Sequence, residues 1–336
     1  MRRITKLRTP IHFDSWAAVG GYEERRGPLG EKFDFCDISD KFGQSTWEIA
    51  EAEMGRVALN TALSKSRMSH DKIELLVAGD LQNQCVASST GLSSFGIPFL
   101  GVYGACSTCT ESLMTLCSFI DSSEHMTIGA AVTTSHNSAA ERQFRTPIEY
   151  GGQRAPTAQW TSTAAGAFIL GQGEGEVQIT EYMPGRIVDG STSDGANMGG
   201  AMAFAAFDSL QAYFEESGEE IRNFDCIVTG DLGKVGSDIL RELLAKSISG
   251  AERIHTDCGL LLYDFKKQDV HSGASGCGTS ASVLACHFLP MLKEGKIRNI
   301  LFMSTGALMS PSSLLQGENI YGIAPLIRIE NMKGSE

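Results

Sequence analysis

The stretch Leu75–Leu81, LLVAGDL, recurs in altered form as Cys226–Leu232, CIVTGDL. Both are short apolar runs that end in Gly-Asp-Leu, a pattern typical of a buried strand that opens into a loop. The match places Asp80 and Asp231 at equivalent positions. The recurrence predicts that one structural unit occurs twice in the chain.

Two further pairs of segments follow in the same order. Ala105–Thr108, ACST, corresponds to Gly276–Thr279, GCGT, and a weaker pair matches His125–Asn137 with Arg298–Ser310. Chance similarity among small residues explains any one pair more easily than three pairs in a preserved order. The order therefore favours duplication.

Helical patterns lie between these strand patterns. A capping-box pattern at Ser45–Glu48 starts apolar spacing of helical period that continues to Leu63, and Ser237–Lys246 shows the same period. Alternating strands and helices predict α/β layers built twice. We place the two halves at residues 1–175 and 176–336.

The composition sets limits on the class of protein. The chain has 336 residues, of which 42% are hydrophobic and 20% charged. This composition suits a large globular core and not a disordered chain. The formal net charge of −12 makes nucleic acid an unsuitable partner. Nine cysteines, an odd number in a large chain, favour reduced thiols over a disulfide framework.

The N-terminus is basic but lacks the continuous apolar core of a signal peptide. No later apolar run approaches the length that a membrane-spanning helix needs, which is about 20 residues. We expect a soluble chain without a signal peptide, whose contact with any membrane is peripheral.

A cysteine-containing segment, Val102–Leu113 or VYGACSTCTESL, has features of a functional site. Thr108 and Glu111 have capping-box spacing, which predicts a helix that begins just after Cys106. Unsatisfied amides at a helix N-terminus favour a thiolate or an anionic ligand, so the segment suits either a nucleophile or an anion-binding pocket. Cys109 falls within the first turn, where packing is the simpler role.

The repeat places Cys277 at the equivalent turn of the second half, ahead of a helix predicted at Ser280–Leu292. If the halves are related by an approximate two-fold axis, Cys277 lies close to Cys106. We therefore predict one shared pocket between the halves.

The duplicated halves and Ala105–Thr108 resemble the thiolase and ketoacyl-synthase superfamily, which implies a thiolase-like α/β fold with five layers, αβαβα. Condensing enzymes of that superfamily place a catalytic His in P-H-Q-A-N and an Asn in G-N-T-S-A. The corresponding turns here are Thr229–Gly233, TGDLG, and Cys277–Ala281, CGTSA, and Ser304–Gly306 replaces the second thiolase cysteine turn. The resemblance therefore implies a protein that is not an enzyme. The alternative is an acyltransferase with Cys106 as acyl acceptor.

A longer set of motifs resembles the stage V sporulation protein AD family of endospore-forming bacteria. The motifs are Gly104–Thr108, Ser135–Asn137, Ala140–Arg145, Glu149–Gln153 and His255–Leu260. The resemblance implies non-catalytic binding of dipicolinic acid, pyridine-2,6-dicarboxylate, and a part in its uptake into the developing spore. It also implies partnership with other stage V A membrane proteins and peripheral association with the spore inner membrane, while the superfamily resemblance implies a homodimer through the first half. Whether the chain also acts in release during germination stays open.

The ligand is a flat ring with two carboxylates, so its site needs a slot for the ring and hydrogen-bond donors at both ends. Candidate ligand-binding residues are Cys106, His136, Asn137, Arg142, Arg145, Asp231, Gly276, Cys277 and Gly278. His136 ends an apolar strand, where it either faces the Cys106 loop or bonds a neighbouring carbonyl as a buried histidine.

Arginines bind carboxylates in bidentate fashion, which suits Arg142 or Arg145. The alternative for both is a surface ion pair with Glu141 or Glu149.

Asp80 and Asp231 would repel a dianion, so we expect them to bond loop amides. Calcium could accompany the ligand, but the sequence contains no EF-hand spacing. His255, Asp257, Cys258 and Cys277 are metal ligands by type, yet their spacing lacks the Cys-x-x-Cys pairs of zinc sites. We predict neither a metal site nor a cofactor.

Overall fold

The computed structural model describes residues 3–144, 154–173 and 175–333. Its strands are β1 Thr5–Gly20, β2 Phe35–Cys36, β3 Leu76–Gly79, β4 Phe99–Gly101, β5 Ile128–Ser135, β6 Trp160–Thr161, β7 Ala164–Gln172, β8 Val177–Met183, β9 Val188–Asp189, β10 Cys226–Thr229, β11 His255–Asp257, β12 Ala274–Ser275, β13 Asn299–Met303, β14 Gly306–Leu308, β15 Tyr321–Ile323 and β16 Leu326–Asn331. Its α-helices are α1 Tyr22–Arg26, α2 Trp47–Ser66, α3 Val86–Leu92, α4 Thr108–Ser122, α5 Asn137–Phe144, α6 Met198–Ser217, α7 Gly233–Ser247, α8 Ala251–Ile254, α9 Cys258–Leu261, α10 Cys277–Val283, α11 Leu289–Lys293 and α12 Pro311–Leu315.

The main sheet has the strand order β11-β10-β13-β16-β8-β1-β7-β5-β3-β4, with β2 beside β1. In the first half, β1, β7 and β5 are successively antiparallel, and β5, β3 and β4 are parallel. The second half repeats this pattern, because β8, β16 and β13 are antiparallel and β13, β10 and β11 are parallel. The predicted duplication is confirmed, while the boundary between residues 175 and 176 stays a prediction.

Three buried cores separate the layers. Met54 of α2 packs in a core on the outer side of the first half, and Met202 of α6 and Leu240 of α7 share a core on the outer side of the second. Leu113 of α4 and Val283 of α10 lie in the central core with residues from the strands of both halves. The layers therefore follow the thiolase-like order αβαβα, as predicted.

The helix predicted from Ser45 begins one residue later than its capping pattern indicates. The cap is Thr46, whose side chain accepts a hydrogen bond from the amide of Ile49 at 3.4 Å. A hydroxyl residue stands at both positions, so the sequence pattern alone does not separate them.

The capping box predicted for α4 is wrong, although the helix begins at Thr108 as expected. Its N-cap is Ser107, which makes no side-chain cap bond. Thr108 Oγ1 accepts from the Gly104 amide at 3.1 Å and donates to the Ala105 carbonyl at 2.7 Å. Glu111 accepts from the Ser107 hydroxyl at 2.7 Å. These polar side chains close the turn that carries the cysteine.

The helix predicted at Ser237–Lys246 is confirmed within α7. The one predicted at Ser280–Leu292 begins earlier, because α10 starts at Cys277 itself. It continues through a π-helical turn at Leu284–Phe288 into α11. Among the described residues, no helix is long and apolar enough to span a membrane.

Candidate functional site

A cavity of about 340 Å³ lies between the two halves. The first half contributes Leu81, Tyr103, Ala105, Cys106, Ala140, Glu141, Phe144, Arg154, Ala155, Ala158 and Thr161, and the second contributes Gly195, Ala196, Met198, Ser275, Ala307, Met309 and Leu314. Most of these side chains are apolar, with few polar groups among them. The position agrees with the predicted shared pocket, and such cavities are typical of small-molecule sites.

Cys106 lies in the turn before α4 and is only 6% exposed. Its thiol is within hydrogen-bonding reach of the Asp231 carboxylate and the Gly276 amide. Burial, followed by the charge and hydrogen bond of Asp231, raises the pKa of the Cys106 thiol well above its usual value. The expectation that the helix N-terminus favours a thiolate is therefore wrong, because burial and the neighbouring carboxylate oppose it.

Asp231 is fully buried and links three turns behind the cavity. Its carboxylate accepts from the Gly276 amide at 2.8 Å and from the Thr305 hydroxyl at 2.9 Å, and it lies near the Cys106 thiol. Burial raises the pKa of Asp231 to about 7. Asp231 does not line the cavity, so the structure gives it the predicted alternative role of bonding loop amides.

Asp80, the equivalent residue of the first half, has the same kind of role. Its carboxylate accepts from the amides of Gln82 and Ser88, both at 2.8 Å. Burial raises the pKa of Asp80. The two acids of the repeat are thus structural anchors of equivalent loops.

The turn at Gly276, Cys277 and Gly278 supports the cavity wall without lining it. Gly276 has φ +98°, and a Cβ on Gly278 would lie 2.1 Å from the Ala164 carbonyl oxygen. Both positions therefore favour glycine. The Cys277 thiol is 3.0 Å from the carbonyl oxygen of Thr134 and is fully buried. The residue before this turn, Ser275, is the one that lines the cavity.

His136 does not reach the cavity. Its Nε2 is 2.8 Å from the Asp40 carbonyl oxygen, and its ring lies 5.4 Å from that of Trp47. Burial lowers the pKa of His136. The prediction that it faces the Cys106 loop is wrong, and the alternative of a buried histidine bonded to a carbonyl is confirmed.

Asn137 lies behind a residue of the cavity wall. Its side-chain amide donates to the carbonyl of Thr161 at 3.0 Å, and its backbone amide donates to the hydroxyl of Thr163 at 3.1 Å. Because Thr161 lines the cavity, Asn137 positions the wall and is not part of it.

Arg142 projects towards α2, where its Nε donates to Glu48 at 2.9 Å. This side chain is 57% exposed and does not line the cavity. The ion pair agrees with the alternative interpretation, although the partner is Glu48 where Glu141 or Glu149 was expected. Arg145 and Glu149 lie outside the described residues.

An arginine that the sequence analysis did not select, Arg154, lines the cavity. Its guanidinium lies 5.0 Å from the centre of the Trp160 ring, and its Nη2 pairs with Asp269 at 3.0 Å. The other terminal nitrogen, Nη1, is buried and has no hydrogen-bond partner among the described residues. Arg154 directly follows Glu149–Gln153, so the motif indicated the right segment but not the residue.

Within the described part of the chain, no three His, Cys, Asp or Glu side chains are placed to hold a metal ion. His255 Nε2 lies 2.9 Å from the hydroxyl of Thr229. Asp257 accepts from the amides of Leu232 at 2.8 Å and Gly233 at 3.0 Å. These groups hold loops together.

The layered fold and the cysteine turn define the class as thiolase-like. Cerulenin-bound OleA of Xanthomonas campestris matches with a TM-score of 0.61 at 12% identity, over 96% of this chain and 99% of that one. The 3-oxoacyl-(acyl-carrier-protein) synthase III of Aquifex aeolicus matches with a TM-score of 0.57 at 14% identity, over 95% of this chain and 99% of that one. At these identities the likeness establishes the fold alone.

The chain belongs to the Stage V sporulation protein AD (SpoVAD) family, whose family model matches residues 1–330. Stage V sporulation protein AD of Bacillus subtilis is 39% identical over 326 residues, which cover 97% of this chain and 96% of that protein. The predicted family is confirmed, and with it a place among sporulation stage V proteins.

Proposed function

We propose that this chain binds dipicolinate without catalysis, in the cavity between its halves, and takes part in dipicolinate uptake into the developing spore. The family resemblance supplies the ligand. The observation that carries the proposal is Arg154, which lines this mostly apolar cavity and whose Nη1 is buried without a partner among the described residues.

Arg154 suits one carboxylate of the ligand. A buried donor without a partner costs free energy, so a carboxylate that accepts from Nη1 both gains a charge-assisted bond and relieves this cost. Trp160 and Asp269 also contact the guanidinium. Apolar walls from residues such as Leu81 and Met198 suit a flat aromatic ring.

The second carboxylate would lie towards the start of α6. Gly195, Ala196 and Met198 line the cavity there, and Met198 is the first residue of this 20-residue helix. The amides and dipole at a helix N-terminus attract anions. An arginine and a helix N-terminus together match the two charged groups of the ligand.

The absence of catalysis is supported by the surroundings of Cys106. Among the described residues, neither a histidine nor an asparagine lines the cavity. Burial and the neighbouring Asp231 carboxylate raise the pKa of Cys106, which disfavours the thiolate that a nucleophile requires. Without a base and an oxyanion donor, the differential transition-state stabilisation of condensation is lacking.

The rival function is an acyltransferase that uses Cys106 as acyl acceptor. The thiol does line an apolar cavity, which suits an acyl chain. Incubation with acyl-CoA followed by intact-mass measurement separates the two functions. A stable adduct that disappears in Cys106→Ala would support the rival.

We further propose that the chain reaches the spore inner membrane by docking onto other stage V A membrane proteins. The family resemblance supports this, since such partners would receive the ligand. Calcium is a candidate companion of the ligand, so binding is measured both with and without it.

Calorimetric titration of dipicolinate tests the proposal. We expect saturable binding to the wild type, and Arg154→Gln should weaken it at least about tenfold through loss of a charge-assisted bond. Arg222→Gln is the matched control, because Arg222 pairs with Glu220 at the surface and is 80% exposed. No heat from the wild type at millimolar ligand, with and without calcium, would contradict the proposal.

A further inference from the structure

The cavity adjoins a second, outer recess of about 570 Å³. The two share three lining residues, Tyr103, Phe144 and Met309. The rest of the outer recess is mostly polar and includes Asn83, Gln84, Gln143, Ser310 and Ser312. The three shared side chains therefore form the boundary between a polar recess and a mostly apolar interior.

Tyr103 is the most exposed of the three. It is 47% exposed while it also lines the inner cavity, whereas Phe144 and Met309 are partly buried. A side chain that contacts both spaces decides how wide the opening between them is.

Unusual backbone conformations surround Tyr103. Gln84 and Cys85 have φ +59° and +53°, and Ala105 has φ +53°, although none is glycine. Each such residue costs on the order of 1–3 kcal/mol, and strain of this kind concentrates at functional sites. Cys85 Sγ donates to the carbonyl of Val102 at 3.4 Å, so the strained turn is fixed to the residue before Tyr103.

The opposite side of the opening is fixed by Gln143. Its side chain accepts from the amide of Asn83 at 3.0 Å and donates to the carbonyl of Leu81 at 2.8 Å. This bridge holds the end of α5, and with it Phe144, against the loop that follows β3. Phe144 and the backbone before Tyr103 are thus held in place, and Tyr103, as the most exposed of the three shared side chains, has the most room to adjust.

We propose that ligands enter the inter-half cavity through the outer recess and that Tyr103 determines the size of ligand that passes. The inference rests on the proposed function in one respect, that the cavity holds a ligand. A flat ring would pass edge-on between Tyr103 and Phe144, and a bulkier molecule would be excluded.

Alkylation of Cys106 tests the entrance without dipicolinate. The measured quantity is the rate of Cys106 alkylation by N-phenylmaleimide divided by its rate of alkylation by N-methylmaleimide. Fragment mass spectra distinguish modification at Cys106 from modification at Cys109. Both reagents attack the same thiol, so their ratio reports passage and cancels changes in thiol reactivity. The proteins compared are the wild type, Tyr103→Ala, Tyr103→Trp and a control, Tyr22→Ala, whose tyrosine is 43% exposed and lines neither space.

We expect Tyr103→Ala to raise the ratio about tenfold, Tyr103→Trp to lower it and Tyr22→Ala to leave it unchanged. Tyr103→Leu replaces the alanine variant if that one does not fold. Equal ratios in all proteins, or a rise in Tyr22→Ala as well, would overturn the assignment. Because the assay omits dipicolinate, it remains valid if calorimetry detects no dipicolinate binding. If dipicolinate binds but the alkylation ratios are unchanged, the proposed entrance is refuted and the proposed function is not.

Discussion

At the scale of single residues, buried hydrogen-bond partners decide which side chains can bind a ligand. His136 and Arg154 both lie in or directly after a sequence motif, and each has a buried nitrogen without a partner among the described residues, but the other nitrogen of His136 is bonded to a carbonyl and only Arg154 lines the cavity. The partner of His136 is Asp40, which lies 96 positions earlier in the chain. No local pattern indicates such a contact, so the sequence identified Cys106 among the residues that line the cavity but not Arg154.

Glu51 provides a prediction about pH. Its carboxylate is fully buried beside Asp80 and accepts from Gln82 at 2.8 Å and Thr134 at 3.0 Å. Burial, then the charge of Asp80, raises the pKa of Glu51 from 4.5 to about 8. At a pH between these two pKa values, Glu51 holds a proton in the native state that it has lost in the unfolded chain. The free energy of unfolding therefore falls as pH rises.

The fall in unfolding free energy that Glu51 causes is at most about 1.4 kcal/mol per pH unit. Glu51→Gln should remove this part of the fall between pH 6 and pH 8, as measured by urea unfolding at several pH values. Glu53→Gln, on the same helix but paired with Arg56, is the control. An unchanged pH dependence in Glu51→Gln would show that Glu51 is ionised in the native state.

At the scale of elements, the strands and the turns after them were predictable because the chain contains them twice. The repeat identified β3 with β10 and the Cys106 turn with the start of α10. The start of α10 was misplaced because Gly276 and Gly278 look like a loop in sequence, whereas Gly276 supplies a positive φ before the helix and Gly278 packs closely against the backbone of Ala164. The sequence alone does not distinguish a glycine required for close packing from a glycine in a loop.

Gly278 gives a prediction at this scale. A methyl group there would meet the Ala164 carbonyl oxygen at 2.1 Å, and both lie on rigid backbone of the central layers. Gly278→Ala should therefore destabilise the protein by about 2 kcal/mol or more, as overpacking in a core does. Thermal and urea unfolding measure the change.

Gly317→Ala serves as the comparison for Gly278→Ala. Gly317 has φ +79°, and a methyl group added there would meet no atom within 4 Å. Alanine at this position should therefore cost about 1 kcal/mol through backbone conformation alone. An equal or smaller cost at Gly278 would mean that α10 and β7 can separate without penalty.

At the scale of the whole molecule, the alternating strands and helices and the repeat predicted α/β layers built twice. The thiolase-like class and its five layers came from the resemblance carried by the repeat and Ala105–Thr108. The cavity between the halves follows from the same symmetry. The chemistry of the cavity does not follow from this symmetry, because the chemistry depends on which side chains of distant segments meet there.

The sheet also provides a prediction about assembly. Strand β4 ends the strand order of the first half, and Phe99 on it is 42% exposed. Edge strands with exposed apolar residues tend to be covered, and the superfamily resemblance implies a dimer through the first half. We propose that a second copy covers β4.

Light scattering after size exclusion should give the mass of two chains for the wild type. Phe99→Asp should shift the protein towards one chain, because it places a charge in the proposed interface. Phe204→Asp on α6, at a side chain of similar exposure, is the control. A monomeric wild type, or a dimer unaffected by Phe99→Asp, would contradict this assignment.

The central claim is that the cavity between the halves holds dipicolinate. A crystal structure of the protein grown with dipicolinate at saturating concentration tests this most directly. The account predicts density for the ring in that cavity, with one carboxylate within hydrogen-bonding distance of Arg154 Nη1. Density for the ligand at another place, or a cavity without ligand at a concentration that saturates binding in solution, would contradict it.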